Sequence, residues 1–114
     1  MIENNSPESF QETRKYLNEL VLKYADKSMK RFFSLDAQVY QDGALPSKTK
    51  ELLGLVASLV LRCDDCIKYH LSQCKDAGVS DAELTETISI GLIVGGSITI
   101  PHIRSAIEFW DALK

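Results

Sequence analysis

Ten consecutive residues, Leu52 to Leu61, carry no charge, and Glu51 and Arg62 bound them. No other feature of this 114-residue sequence limits the fold so strongly. The run is too short to cross a bilayer, which takes about 20 apolar residues as a helix. Nor does it alternate polar and apolar residues as a half-buried strand does. A helix buried on most sides accommodates it. The chain is long enough to bury a modest core without staples, so residues 1–114 read as one domain.

The other segments are helical as well. Ser6-Pro7 offers a cap followed by proline at the first helical position. Phe10, Tyr16, Leu17, Leu20 and Val21 then follow at helical spacing. A second run covers about residues 26–40, with Met29, Phe32, Phe33 and Val39 apolar. Asp42-Gly43 and Pro46 mark a loop over Gln41 to Pro46. Ser47 is placed to cap a third helix that runs to about Leu61. After a break at Arg62-Cys63, a fourth helix covers Asp64 to Ala77, and Gly78 suits the left-handed position that ends it.

Ser80-Asp-Ala-Glu83 is a capping box, so a fifth helix starts there. It extends through Leu84, Ile88, Leu92 and Ile93 to Gly95-Gly96. A sixth runs from around Ser97 to the end, with Pro101 in or near its first turn. Its expected buried stripe is Ile103, Ala106, Ile107 and Trp110. The fold class is therefore all-α, with about six helices and no sheet. Gly91 and Gly95, four apart, let a second helix approach closely. Two nearly all-apolar helices in so short a chain predict that another subunit covers part of the surface, giving a homo-oligomer.

Composition narrows the function. With 45% hydrophobic and 25% charged residues the chain is globular rather than disordered. A net charge of -3 argues against broad binding of nucleic acid or an anionic membrane. The short basic cluster Lys27 to Arg31 reads as a solvated helix face. MIENNSPESF has neither a basic n-region nor an apolar h-region, which predicts no secretory signal and a cytoplasmic location. In a reducing compartment, two of three cysteines placed three apart point to redox or metal chemistry rather than to a structural framework.

The chemistry concentrates in Cys63-Asp-Asp-Cys66-Ile-Lys-Tyr-His70. On a helix, Cys63, Cys66 and His70 fall on one face. Residues three apart have Cβ atoms about 5–6 Å apart, and disulfides accept Cα separations of about 4.4–6.8 Å. The pair can therefore close. Unpaired N–H groups at a helix start favour a thiolate, while Asp64 and Asp65 oppose it. His70, one turn beyond Cys66, is within reach as its general base. If helices three and four form a hairpin turning near Leu61 to Arg62, Glu51 lies within roughly a helical turn of His70 and can orient or relay through its ring.

Other readings stand beside this one. The CxxC pair is also half of a zinc pattern, but Cys63 to Cys74 spans about 16 Å of helix, far beyond zinc–sulfur bonds of about 2.3 Å. No metal or cofactor is predicted. Inert core cysteines in a non-enzymatic helical module are a further alternative. Glu51 has a simpler explanation as a first-turn acid near the third helix start. Cys74 reads as a small buried side chain, Tyr69 as packing, and His102 as a structural residue whose partner the sequence does not reveal.

At these residues the sequence resembles the alkylhydroperoxidase D-like branch of the carboxymuconolactone decarboxylase family. The matching stretch runs from Glu51 through ELLGLVASLVLRCDDCIKYHLSQCKDAGVSDAELTETISIGLIVGGS to about Trp110. Its specific part is a Glu twelve residues before the first Cys, the CxxC, and a His four beyond the second Cys, here Glu51, Cys63, Cys66 and His70. The resemblance implies an all-helical fold, trimers or hexamers, and thiol-dependent reduction of hydroperoxides. It implies re-reduction by a dithiol partner protein, lipoyl-bearing or thioredoxin-like. It also implies that Glu51 and His70 relay protons for Cys66 while Cys63 closes the disulfide. The wider family's name offers a rival, lactone decarboxylation, a chemistry that makes no demand for a cysteine pair.

Overall fold

The structure is a computed structural model that describes residues 6–113. The first five residues, on which the reading of the N-terminus partly rests, lie outside that range. The helices are α1 (Pro7–Tyr24), α2 (Lys27–Val39), α3 (Ser47–Val60), α4 (Asp64–Asp76), α5 (Asp81–Gly95) and α6 (Ile100–Ala112). A single 3-10 turn, Ser97–Thr99, precedes α6, so the last α-helix starts three residues later than the spacing suggests. No strand occurs among the described residues. The all-α expectation holds.

Two compact units make up the chain, Met1–Gln41 and Asp42–Lys114. In the first, Ser6 Oγ accepts the Ser9 N–H at 3.0 Å, and Asp26 Oδ1 accepts the Met29 N–H at 2.9 Å, each opening a helix. α2 has no buried residue, and Tyr16, Leu17, Leu20 and Val21 of α1 are exposed.

The second unit holds the core and the CxxC pair. α3 packs against both α4 and α5, and α4 packs against α6. Leu55 and Leu59 of α3, Ile67, Leu71 and Cys74 of α4, Leu84 and Ile88 of α5, and Ala106, Phe109 and Trp110 of α6 are buried in its interior. Each large apolar side chain buried this fully contributes about 1.5–3 kcal/mol. The close approach of α3 to α5 falls at the two glycines. A Cβ on Gly91 would lie 2.6 Å from Leu59 Cδ2, and one on Gly95 would lie 3.7 Å from the Val60 backbone. Lys48 on α3 also reaches Glu83 on α5 at 3.1 Å.

Several local expectations need correction. Ser47 does not cap α3. Pro46, extended at φ -66° and ψ 153°, takes the cap position, and Ser47 is the first helical residue. Its N–H is accepted by Asp42 Oδ1 at 2.6 Å, so the carboxylate in the loop satisfies one of the orphan amides. The apolar run of α3 is buried on one side only, because Leu53 and Leu61 are exposed. On α6, Phe109 is buried and Ile107 is exposed. The capping box of α5 forms as expected, with Ser80 Oγ accepting the Glu83 N–H and Glu83 accepting the Ser80 N–H.

Two helix ends share one design. At the end of α4, Gly78 sits at φ +82°, its N–H bonds Lys75 O, and the next N–H, of Val79, bonds Cys74 O. This is the double-bonded left-handed stop that glycine favours. α3 ends in the same way without a glycine: Arg62 sits at φ 59°, its N–H bonds Leu59 O, and the Cys63 N–H bonds Ser58 O. A side-chain-bearing residue in that region costs about 1–2 kcal/mol. The stop turns the chain back on itself immediately before Cys63.

Candidate active site

Because the α3 stop reverses the chain, α4 returns alongside α3, and residues equally far from the turn come level. Glu51, near the start of α3, faces His70, in the middle of α4. His70 Nδ1 lies 2.9 Å from Glu51 Oε1. Both groups are buried, at 8% and 4% exposure. With the carboxylate ionised, Nδ1 donates, and the lone pair of the neutral ring sits on Nε2. The Tyr69 ring meets the imidazole edge-on, with centroids 5.2 Å apart.

Cys63 and Cys66 form a disulfide, with a Cα separation of 5.3 Å. Cys63 is the N-cap of α4, and its sulfur accepts the Cys66 N–H at 3.2 Å. The pair thus occupies the first turn of the helix, where the unpaired amides favour negative charge on sulfur. Cys66 is exposed and Cys63 half-buried. His70 follows Cys66 by one helical turn, an axial rise of about 6 Å. The four sequence-predicted residues thus form two bonded pairs: an accessible disulfide at the start of α4 and, one helical turn along, the buried His70 with its Glu51 partner.

Cys74 continues the same stripe of α4 and is fully buried. Burial pushes its thiol from the ordinary 9.0 up to about 12, and the negative charge of Glu51 adds to the rise. Well below pH 9.0 this thiol is neutral in the folded and unfolded chains alike. As pH rises from there towards about 12, only the unfolded chain ionises it, so stability falls. Urea denaturation should show wild type more stable than Cys74→Ala at neutral pH, with the gap narrowing above about pH 9. A gap as wide at about pH 10.5 as at pH 7 would contradict a thiol that stays neutral in the fold.

A contact beside the cysteine pair escaped the sequence. His102, in the first turn of α6, places Nδ1 2.7 Å from Oδ1 of Asp64, the first residue of α4. The two residues are 38 apart in the chain, and neither belongs to a motif that announces the pairing. No group of three or more His, Cys, Asp or Glu able to hold a metal occurs among the described residues. No described helix is long and apolar enough to cross a membrane.

Comparison with known proteins places this geometry in context. A family model, that of the carboxymuconolactone decarboxylase family, matches residues 26–109. An uncharacterized protein of Cupriavidus necator is 30% identical over 87 residues, which cover 76% of this chain and 77% of that protein. The crystal structure of TM1620 from Thermotoga maritima matches with a TM-score of 0.89 and 57% identity, over 91% of each chain. A second crystal structure of TM1620 matches at 0.87, and that protein is described as a family member with a suggested part in the antioxidative response. A family protein from Legionella pneumophila, lpg0406, matches at 0.84 with 25% identity, over 92% of this chain and 94% of its own.

Proposed function

The chain belongs to the carboxymuconolactone decarboxylase family, and from that premise we propose that it is a thiol-dependent peroxidase working through the Cys63–Cys66 couple. One observation carries the reading: the exposed Cys66, disulfide-bonded to Cys63, lies one turn above the buried His70–Glu51 pair. A buried imidazole hydrogen-bonded to a carboxylate is held in one tautomer, which is what a proton relay requires.

In the reduced protein, His70 takes the Cys66 proton, and Glu51 stabilises the resulting imidazolium. The Cys66 thiolate attacks the outer oxygen of a hydroperoxide. The O–O bond breaks, the alcohol leaves with a proton returned by the imidazolium, and Cys66 becomes a sulfenic acid. The Cys63 thiol then attacks that sulfur, water departs, and the disulfide forms. An external dithiol, on a lipoyl-bearing or thioredoxin-like protein, exchanges with the disulfide and leaves oxidised itself. The cycle consumes one hydroperoxide and one dithiol and yields alcohol, water and a disulfide. No metal or cofactor enters it.

Exposed Ile90, Ile93 and Val94 on α5, with Ile98 just after it, support assembly of several copies into a trimer or hexamer. The function is tested with reduced protein, an organic hydroperoxide and dihydrolipoamide. Dithiol-dependent peroxide loss should accompany a Cys63–Cys66 bridge detected by mass spectrometry. Zinc at one per subunit in the purified protein, lost on Cys63→Ser, would favour a metal-binding module instead. Lactone decarboxylation that survives alkylation of both thiols would favour the rival chemistry.

A further inference from the structure

The CxxC segment is tied to the rest of the protein on two sides. On the inner side is the His70–Glu51 pair already described. On the outer side, the Asp64 carboxylate accepts a hydrogen bond from His102 across to α6. Asp64 is no ordinary neighbour. It is one of the two residues enclosed by the Cys63–Cys66 ring, and it follows Cys63 directly. Its charge is therefore carried between the two cysteines in the chain.

A thiolate in the first turn of α4 meets opposed influences. The helix amides favour it, and the carboxylates of Asp64 and Asp65 oppose it. His102, with its second proton on, is a cation bonded to the nearer of those carboxylates and cancels its charge. The pair is only partly shielded, with side chains 22% and 52% exposed, so solution pH reaches it directly. The other ionisable groups around this end of α4 are Arg62 and Asp65 in the same stretch and Lys68 one turn on. Beyond these are the buried Glu51–His70 pair toward α3 and Arg104, two residues after His102 on α6.

We propose that His102 is a positioning residue for the CxxC pair: it pins the Asp64 carboxylate against α6 and, when protonated, removes the charge that opposes a thiolate at Cys63 and Cys66. The pair thereby couples the reactivity of the dithiol to pH from the solvent side, separately from the buried relay. This inference deepens the redox reading of the same site and rests on it for its biological meaning. Its physical content concerns only thiol ionisation.

The test is the rate at which iodoacetamide alkylates the reduced pair, since that rate follows the thiolate fraction. An imidazole is more fully protonated in acid than in alkali, so the rate is compared at the two ends of a pH series. His102→Gln should slow alkylation roughly threefold at the acid end and by less at the alkaline end. Asp64→Asn should act in the opposite direction, speeding alkylation roughly threefold at both. His102→Lys, which keeps a positive charge at both, should be no slower than wild type at either. A purely structural tie predicts that losing either end changes the rate in the same direction and independently of pH. That pattern, or no change in any variant, would overturn the proposal. The outcome does not depend on peroxide turnover. A wild-type protein that consumes no peroxide but shows these opposed shifts would sink the peroxidase reading and leave this inference standing.

Discussion

Cys66→Ser should lower dithiol-dependent peroxide consumption by at least about a thousandfold while leaving the fold intact. Serine has nearly the shape of cysteine, and position 66 is exposed, so no core contact is lost. Its backbone N–H retains the Cys63 sulfur as acceptor, which keeps the cap of α4. The hydroxyl does not ionise in the range where the thiol does, so no nucleophile attacks the peroxide. Cys63→Ser should behave differently. With Cys66 intact, the first peroxide still reacts, and the sulfenic acid accumulates because no neighbouring thiol resolves it. Single-turnover peroxide loss with mass detection of one added oxygen distinguishes the two. Equal and full activity in both serine variants would remove the proposed chemistry altogether.

The second large effect concerns Glu51, where shape and charge can be separated. Glu51→Ala removes the carboxylate that pairs with the buried His70 and opens a cavity, and should cost about 3 kcal/mol of stability. Glu51→Gln keeps both the volume and an oxygen that accepts from Nδ1 at the 2.9 Å distance now seen. Its stability should stay within about 1 kcal/mol of wild type. Its peroxide turnover should nevertheless fall about a hundredfold, because a neutral amide does not stabilise the imidazolium formed when His70 takes the Cys66 proton. Urea denaturation and initial rates on the same preparations check the pair. If the Gln variant turns over as fast as wild type, Glu51 is a packing residue and the relay is absent.

The helices were legible because their signals are local. Ser80 and Glu83 sit three apart, and the capping box they form involves no residue outside that turn. Gly78 stops α4 in the left-handed conformation that its lack of a side chain permits. Where the sequence misled, the deciding contact came from further off. Ser47 looks like a cap until Asp42, five residues earlier, supplies the oxygen instead. Arg62 gives no hint of the left-handed stop it makes, since glycine is the usual residue there and only the paired bonds to Leu59 and Ser58 reveal it. Which faces of α3 and α5 stay exposed escaped too, because an apolar run shows that burial is wanted but not which side receives it.

By itself, the sequence determined the helical class and the register of Cys63, Cys66 and His70 on one stripe, since a helix fixes the spacing of residues three and four apart. It even limited where Glu51 could lie, because a hairpin of two helices pairs positions by their distance from the turn. The tertiary structure alone decided that Glu51 is dry and bonded to His70 and that Asp64 is held by His102 from 38 residues away. The reason is physical. Spacing along a helix is set by backbone hydrogen bonds within a few residues, whereas burial and pairing across the chain depend on how whole helices pack, which no short stretch of sequence contains.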